Sequence, residues 1–346
     1  MNQAYTPKEH FSADFLDKTA YFILKTQRAN GSIPWFEGGM IDPWDHIEAA
    51  MGLAVCGHID AARRAYDWLK HHQNPNGGWY ASYYPDPSKN DLRTETNFVA
   101  YSATGIWHLY LITKDLEMLS DYWPMISRAM DLVISLQGDY GEIFWSIDPE
   151  KGIQRDALVT GCSSIYHSLG SAIKIAKALG QPTESLQETH TALGIALTRH
   201  PEAFDRTWES KARFSMDWFY PVLSGAIKGD AAINHINERW DQFIVDQLGC
   251  RCVNDEPWVT IAETCELVMA LIAIGDHSRA SEIYGWIHQF RDTDGAYWTG
   301  YVYPDQAIWP EEKTTWTAGA VLLAADALTH KTDAHSLFSE DSPANA

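Results

Sequence analysis

Apolar residues make up 45% of the chain, yet no uninterrupted apolar run approaches the 18 or so residues of a membrane span. Basic residues are scarce: 26 Lys and Arg stand against 46 Asp and Glu, a formal charge of −20. That balance excludes the basic footprint that nucleic acid and anionic membrane surfaces require. Cysteine is sparse and odd in number (Cys56, Cys162, Cys250, Cys252, Cys265), as in a reduced protein without a disulfide framework. Cys250-Arg-Cys252 is too tightly spaced for a zinc knuckle and lacks a second pair, so neither metal nor cofactor is expected. The opening MNQAYTPKEHFSADF has no basic stretch leading into an apolar one, so no secretory leader is expected, and with reduced thiols this points to a cytoplasmic protein. No linker and no strand-rich block interrupts the 346 residues. One domain over residues 1–330 is expected, with a polar, disordered tail at 331–346.

What the chain does contain is helical periodicity. Helices are predicted at about Phe15–Gln27, Asp45–Cys56, Ile59–Gln73, Glu95–Thr113, Leu116–Gln137 and Val159–Leu179. More follow at Thr183–Arg199 and Asp217–Ile227, then a ninth ending near Val245, then Thr260–Ile274, Ser278–Gln289 and Thr317–Thr329. Asp45 reads as the N-cap of the second. Connections between these twelve helices alternate long and short. If neighbours are antiparallel, every long loop leaves one end of the assembly. Six such hairpins closing into a ring make an all-α fold, an (α/α)6 barrel with one elaborated mouth. Internal repetition agrees: Gln27-Arg-Ala-Asn-Gly-Ser-Ile-Pro-Trp35, Gln73-Asn-Pro-Asn-Gly-Gly-Trp79 and Phe290-Arg-Asp-Thr-Asp-Gly-Ala-Tyr-Trp298 each leave an odd-numbered helix through Gly and Trp. Leu136-Gln-Gly-Asp-Tyr-Gly-Glu-Ile-Phe-Trp145 is a looser copy.

Sorting residues by connection type locates the chemistry. Of 15 Trp, ten fall in or beside the long loops: Trp35, Trp44, Trp79, Trp145, Trp208, Trp218, Trp258, Trp298, Trp309 and Trp316. Tyr80, Tyr83, Tyr84, Tyr297, Tyr301 and Tyr303 join them. Aromatic faces around a cleft suit flat ligands that are partly apolar and also hydrogen-bond, such as sugar rings, and equally suit apolar polyenes. Some of these rings will instead pack the loops onto the barrel. Carboxylates gather at the same end: Asp42, Asp45, Glu95, Glu142, Asp148, Asp217, Asp255, Glu256, Glu263, Asp305, Glu311 and Glu312. Helix capping explains several of them. An acid and base pair across the mouth is the sharper reading, because glycosidic hydrolysis needs one protonated and one ionised carboxyl.

Two resemblances bear on this. Tyr122-Trp-Pro-Met-Ile, Gly141-Glu-Ile-Phe-Trp145, Ala157-Leu-Val-Thr-Gly-Cys-Ser-Ser-Ile-Tyr-His-Ser-Leu169 and Thr315-Trp-Thr-Ala-Gly-Ala-Val-Leu-Leu-Ala324 resemble the six-hairpin glycosidase superfamily of the glucoamylase kind. There the acid sits before the sixth helix and the base before the twelfth. The resemblance therefore implies Glu142 or Asp148 as acid, and Asp305, Glu311 or Glu312 as base. The family's acid directly follows the loop tryptophan, where this chain has Ser146. The Gln-x-x-x-Gly-x-Trp-like repeats are similar to those of squalene cyclases and protein prenyltransferases. Asp292-Thr-Asp294-Gly is the nearest approach to the cyclase Asp-x-Asp-Asp acid, and the prenyltransferase zinc set has no counterpart.

The reading that follows is a metal-independent, inverting glycoside hydrolase acting on an oligosaccharide or smaller sugar. Asp148 is the expected acid and Glu312 the base, with Glu311 and Asp305 as substitutes. Asp45, Glu95 and Asp217 are expected to orient hydroxyls. Trp35, Trp79, Trp145, Trp258, Trp298, Tyr301 and Trp309 are expected to line the sugar site. The alternatives are a terpene cyclase or prenyltransferase-like toroid holding an isoprenoid, and a sugar epimerase using His46 and His167.

Overall fold

Helices that are apolar on every side have to be surrounded by other helices, whereas amphipathic ones can face water. Both kinds alternate along this chain. The first three hairpins pair α1 (Ala13–Thr26) with α2 (Pro43–Val55), α3 (Ile59–His72) with α4 (Thr96–Thr113), and α5 (Leu116–Ser135) with α6 (Val159–Ala178). The rest pair α7 (Glu184–Arg199) with α8 (Ser215–Leu223), α9 (Gly229–Glu238) with α10 (Ile261–Ala273), and α11 (His277–Trp286) with α12 (Thr315–Thr329). All of α2 is buried, and α4, α10 and α12 nearly so. The even helices form a closed inner ring in which α12 packs back on α2, and the odd helices lie outside it. The computed structural model describes residues 9–339 and confirms the (α/α)6 barrel. Among the described residues no helix is long and apolar enough to cross a membrane.

The repeated Gln-x-x-x-Gly turns hold the outer helices in step. Gln27 Nε2 donates to the carbonyls of Gly31 and of Ala61 in α3, both at 2.9 Å. Gln73 does the same to Gly77 and to Met125 of α5, both at 2.8 Å, and Gln137 to Gly141 and to Thr189 of α7 at 3.1 and 3.2 Å. Each glycine has φ +93°, and a Cβ there would come within 2.1–2.5 Å of a carbonyl on the next outer helix. Only glycine fits. Gly295 presses the last long loop against Lys18 of α1 in the same way, completing the outer circle. The repeats that are similar to those of cyclases are thus structural staples.

The mouth is more ordered than an all-helical reading expects. The long loops contain two small antiparallel sheets. One orders β1 (Thr94–Glu95), β2 (Ser146–Asp148) and β3 (Gly152–Gln154), the other β4 (Ile244–Val245), β5 (Gly249–Arg251), β6 (Trp258–Thr260), β7 (Gly300–Val302) and β8 (Ala307–Ile308). They join the second loop to the third and the fifth to the sixth. Single bridges Ile41–Tyr83 and Phe214–Val253 join the first loop to the second and the fourth to the fifth. Asp156, accepting from Thr207, links the third to the fourth, and Thr315 N–H on Trp35 O links the sixth to the first. The six loops form one collar.

Helix ends fall within about two residues of expectation except at the C-terminal ends of the eighth, ninth and eleventh, which stop at Leu223, Glu238 and Trp286. The ninth stops at Glu238, followed by a single turn at Trp240–Phe243 and then β4. The second starts at Pro43, with Asp42 as its N-cap in place of Asp45. The expected tail also differs: Ala334, Ser336 and Leu337 are buried, and His167 Nε2 donates to Leu337 O at 2.9 Å. Residues 340–346 of that tail, and residues 1–8 of the stretch read for a leader, lie outside the described residues.

The ring closes through two glycines. A Cβ on Gly319 of α12 would lie 2.7 Å from the Glu48 carbonyl, and one on Gly52 would lie 2.9 Å from Gly319 Cα. Both obstacles are backbone. Gly319→Ala should therefore destabilise by about 1–3 kcal/mol, read as a lower urea midpoint. Gly285→Ala, where a Cβ meets nothing within 4 Å, should raise the midpoint by the equivalent of about 0.4–1 kcal/mol.

Candidate active site

Inner helices point their N-termini at the mouth, so their first turns form its floor. On α2 the Asp42 carboxylate accepts the Asp45 N–H at 2.9 Å and the Trp35 indole N–H at 2.5 Å. Asp45 sits against it in the first turn, and Glu48 lies one turn deeper on the same face. On α10, separated from α2 by α12, Glu263 and Glu266 repeat that spacing. All five carboxyls are buried. Aromatic residues from α4 and α8 close the floor between them. Trp44 packs against Tyr101 and Tyr220 at 5.2 and 5.7 Å and donates to Glu48 at 3.0 Å. Tyr101 donates to Glu48 at 3.4 Å and Tyr220 to Glu266 at 3.1 Å.

So many acids in one dry place cannot all ionise, since each buried charge without a cationic partner costs several kcal/mol. Burial pushes Glu48 up to about 7, against the hydrogen bonds it accepts. Asp45 is raised well above the usual carboxyl range, first by burial and then by the negative charges of Asp42, Glu48 and Glu266. Its Oδ2 receives no hydrogen bond among the described residues, as suits a protonated acid. Glu266 is likewise raised by burial and by Glu48. Glu263 is raised by burial, opposed by the nearby hydroxyl of Thr260, which completes no hydrogen bond among the described residues, by its own helix N–H and by the Cys252 thiol. The Trp316 indole approaches Glu48 and completes no hydrogen bond among the described residues.

The residues singled out from sequence divide between this floor, the collar and the packing behind it. Glu95, half-buried before α4, is held at about 7 by burial despite Arg93 at 3.5 Å, and it feels Asp42. Asp217 is pushed to about 6 by burial and accepts from Thr160 of α6. Trp35, Trp145, Trp258, Trp298 and Tyr301 are half-buried in the collar, and Trp309 is 55% exposed. Trp79 departs from expectation: it is fully buried, its indole bound to Leu69 O, and presents no face to a ligand.

The carboxyls expected as acid and base sit differently. Asp148 accepts the N–H groups of Glu150 and Lys151 at 2.9 Å, which hold it below the usual range, the reverse of what a proton donor needs. Asp305 and Glu311 are exposed, Asp305 between β7 and β8 and Glu311 after β8, and Glu312 is half-buried. Glu142 is buried under its loop, held by Tyr140 N–H and Arg206. The histidines proposed for an epimerase do not meet. His46 has both ring nitrogens on backbone groups of Ile33 and Ala65, and His167 lies at the opposite end of the barrel. The polar, acid-lined floor also differs from the dry apolar cavity an isoprenoid toroid would need.

Glu48, Glu266, Tyr101 and Tyr220 were not singled out from sequence. The available signal was two acids at i and i+3 within helices apolar on all sides, Asp45-x-x-Glu48 and Glu263-x-x-Glu266, where a carboxylate has no route to bulk water.

Raised carboxyl pKa values tie stability to pH. In the unfolded chain Glu48, Glu95 and Asp217 return to about 4. The folded state then holds protons that the unfolded state has released. The stabilisation is complete below pH about 4 and is lost as pH rises through about 6–7. Glu48→Gln keeps an acceptor for Trp44 without the titrating group. It should raise the thermal midpoint more at pH 8 than at pH 5 in differential scanning fluorimetry.

No family model matches the chain. Over 325 residues, 93% of this chain and 88% of the relative, it is 48% identical to the MMP endo-(1,4)-3-O-methyl-alpha-D-mannosidase of Mycolicibacterium hassiacum. Among solved structures it is similar to a wild-type glycosidase (TM-score 0.72, 15% identity, covering 94% of this chain and 99% of that one). It is also similar to the GH63 mannosylglycerate hydrolase of Thermus thermophilus (TM-score 0.66, 13% identity, 89% and 99%). A D-mannose isomerase shares the fold (TM-score 0.66, 12% identity, 94% and 98%). With the six-hairpin barrel and its acid-lined mouth in place, the chain is a glycoside hydrolase and belongs to the family of the Mycolicibacterium hassiacum mannosidase.

Proposed function

We propose that hydrolysis runs with inversion, Asp45 protonating the leaving glycosidic oxygen and Glu263 activating water from the opposite side. The observation that carries this reading is the placement of the two carboxyls in first turns of non-adjacent inner helices, α2 and α10, with unequal surroundings. Burial and crowding by like charge favour the protonated form of Asp45. Glu263 has hydrogen-bonding groups and a helix N-terminus favouring its anion. Glu48 and Glu266, one turn below, act as positioning residues that keep the acid protonated.

The substrate proposed is a 1,4-linked 3-O-methyl-α-D-mannose chain cut internally, as the relative's name describes for that protein. A methyl ether replaces a donor with apolar surface, which suits a collar rich in indole rings. Those rings come from several loops: Trp35 from the first, Trp145 and Trp208 packed together from the third and fourth, Trp258 and Trp309 from the fifth and sixth. A chain lying across the mouth would meet more than one of them, as endo action requires.

Asp45→Asn and Glu263→Gln should each lower kcat on a 3-O-methylmannose oligosaccharide by about 10²–10⁴-fold with the circular dichroism spectrum unchanged. Asp148→Asn should stay near the wild-type rate. Wild-type activity in Asp45→Asn would remove it as the acid. Proton NMR of the first-formed product should show the inverted anomer, and retention would sink that part of the mechanism. Trp309→Ala should raise KM for a long oligosaccharide more than for a short one, measured by product chromatography.

A further inference from the structure

Glycine inside a helix is less favourable than alanine, because it gives up more backbone freedom, so its presence there calls for a reason. Packing supplies that reason at three positions of the inner ring. A Cβ on Gly52 or Gly319 would strike backbone of the facing helix, and one on Gly105 would stand 2.5 Å from Ile47 Cγ2. Gly161, in the first turn of α6, is different. It is helical and outside the left-handed region. The atoms nearest a Cβ there would be Leu158 Cβ at 3.6 Å and Asn97 Cβ and Cγ at 3.8 and 3.9 Å, all ordinary contact distances. Alanine would fit without moving a neighbour, so neither backbone geometry nor packing requires the glycine.

Its place in the ring supplies another reason. Asp45, Gly161 and Glu263 are each the third residue of their inner helix, so they stand at one level beneath the collar. The inner helices follow one another round the ring in chain order, which sets α6 opposite α12. Asp45 on α2 and Glu263 on α10 flank α12, and the notch left by Gly161 faces them from the far side of the floor. The two sides of that notch are unlike. Leu158, half-buried, walls it with aliphatic carbon. Asn97, half-buried on α4, brings a carboxamide that makes no side-chain hydrogen bond among the described residues. A methyl-sized gap, an aliphatic wall and an unengaged amide N–H together match a methyl ether, whose carbon is apolar and whose oxygen only accepts.

We propose that Gly161 and Asn97 select the 3-O-methyl group of the mannose unit whose glycosidic bond is cut. The glycine leaves room for the methyl carbon, and the amide donates to the ether oxygen. The assignment rests on the acid, base and substrate proposed above. With the anomeric carbon held between Asp45 and Glu263, the C3 substituent of a pyranose lies on the far half of the ring, toward α6. A free 3-hydroxyl also accepts from an amide but puts no carbon in the notch, so the preference for the ether comes from the methyl group.

The test measures kcat/KM of the full chain on a 3-O-methylated 1,4-α-mannose oligosaccharide, with the unmethylated chain of equal length as competitor. Gly161→Ala should lower kcat/KM for the methylated chain by about ten- to hundredfold and leave the competitor's inhibition constant within about twofold. Its urea midpoint should be no lower than that of wild type, because alanine favours the helix. Asn97→Asp replaces a donor with an acceptor. It should also lower kcat/KM for the methylated chain but tighten the competitor, whose free 3-hydroxyl can donate to the new carboxylate. Equal loss for both chains in Gly161→Ala would overturn the assignment, since the glycine would then make room for the whole ring. So would an unchanged kcat/KM in that variant. A wild-type enzyme that cleaves another sugar and not the methylated chain would sink the substrate reading and this assignment together. Wild-type kinetics in Gly161→Ala beside an inactive Asp45→Asn would remove the Gly161 assignment alone.

Discussion

Carboxyl groups withdrawn from water at the N-termini of inner helices set the terms for the rest of this molecule. Asp42, Asp45, Glu48, Glu263 and Glu266 are buried with no lysine or arginine bridging to them among the described residues, so electrostatics is managed by protons, phenols and indoles. Trp44, Tyr101 and Tyr220 donate to or pack beside the acids and take up the space a counter-ion would need. That arrangement is unfavourable for folding and useful for chemistry. A barrel with a large apolar wall tolerates it, as functional sites commonly draw on stability supplied elsewhere.

The supply comes from repetition. The Gln-x-x-x-Gly staples use the same two hydrogen bonds at three successive outer-helix junctions, and Gly295 against α1 closes the circle. The collar does the corresponding work at the mouth, where short strands and single bridges connect each long loop to its neighbours. Loops so connected can carry indole rings at fixed positions, which a floppy rim could not.

The fold was legible because each level of the sequence agreed. Apolar periodicity marked the helices, and the alternation of long and short connections marked the ring. Strands of two or three residues carry too little pattern to be read, so the collar was missed. The site was legible only in outline. Sorting by loop points to the mouth, to its tryptophans and to a dozen acids that include Asp45 and Glu263, but it does not separate buried acids from exposed ones. Asp148, Glu311 and Glu312 lie in aromatic, turn-rich stretches. Asp148 is held in a turn, Glu311 is exposed and Glu312 is half-buried, and no spacing rule reports burial in advance. Trp79 shows the same limit: in sequence it matches Trp35, but in the fold it faces inward to Leu69 O. The informative pattern was quieter, a pair of acids one turn apart inside helices with no wet side.

The seam between Gly319 and the Glu48 carbonyl joins helices from nearly opposite ends of the sequence. Contacts of that range are slow to form, since chain entropy has to be given up first. Packing of α12 on α2 supplies part of the burial that raises Asp45 and Glu48 above the range of free carboxylic acids. The raised carboxyl pKa values of the floor are thus a property of the closed ring and not of α2 alone.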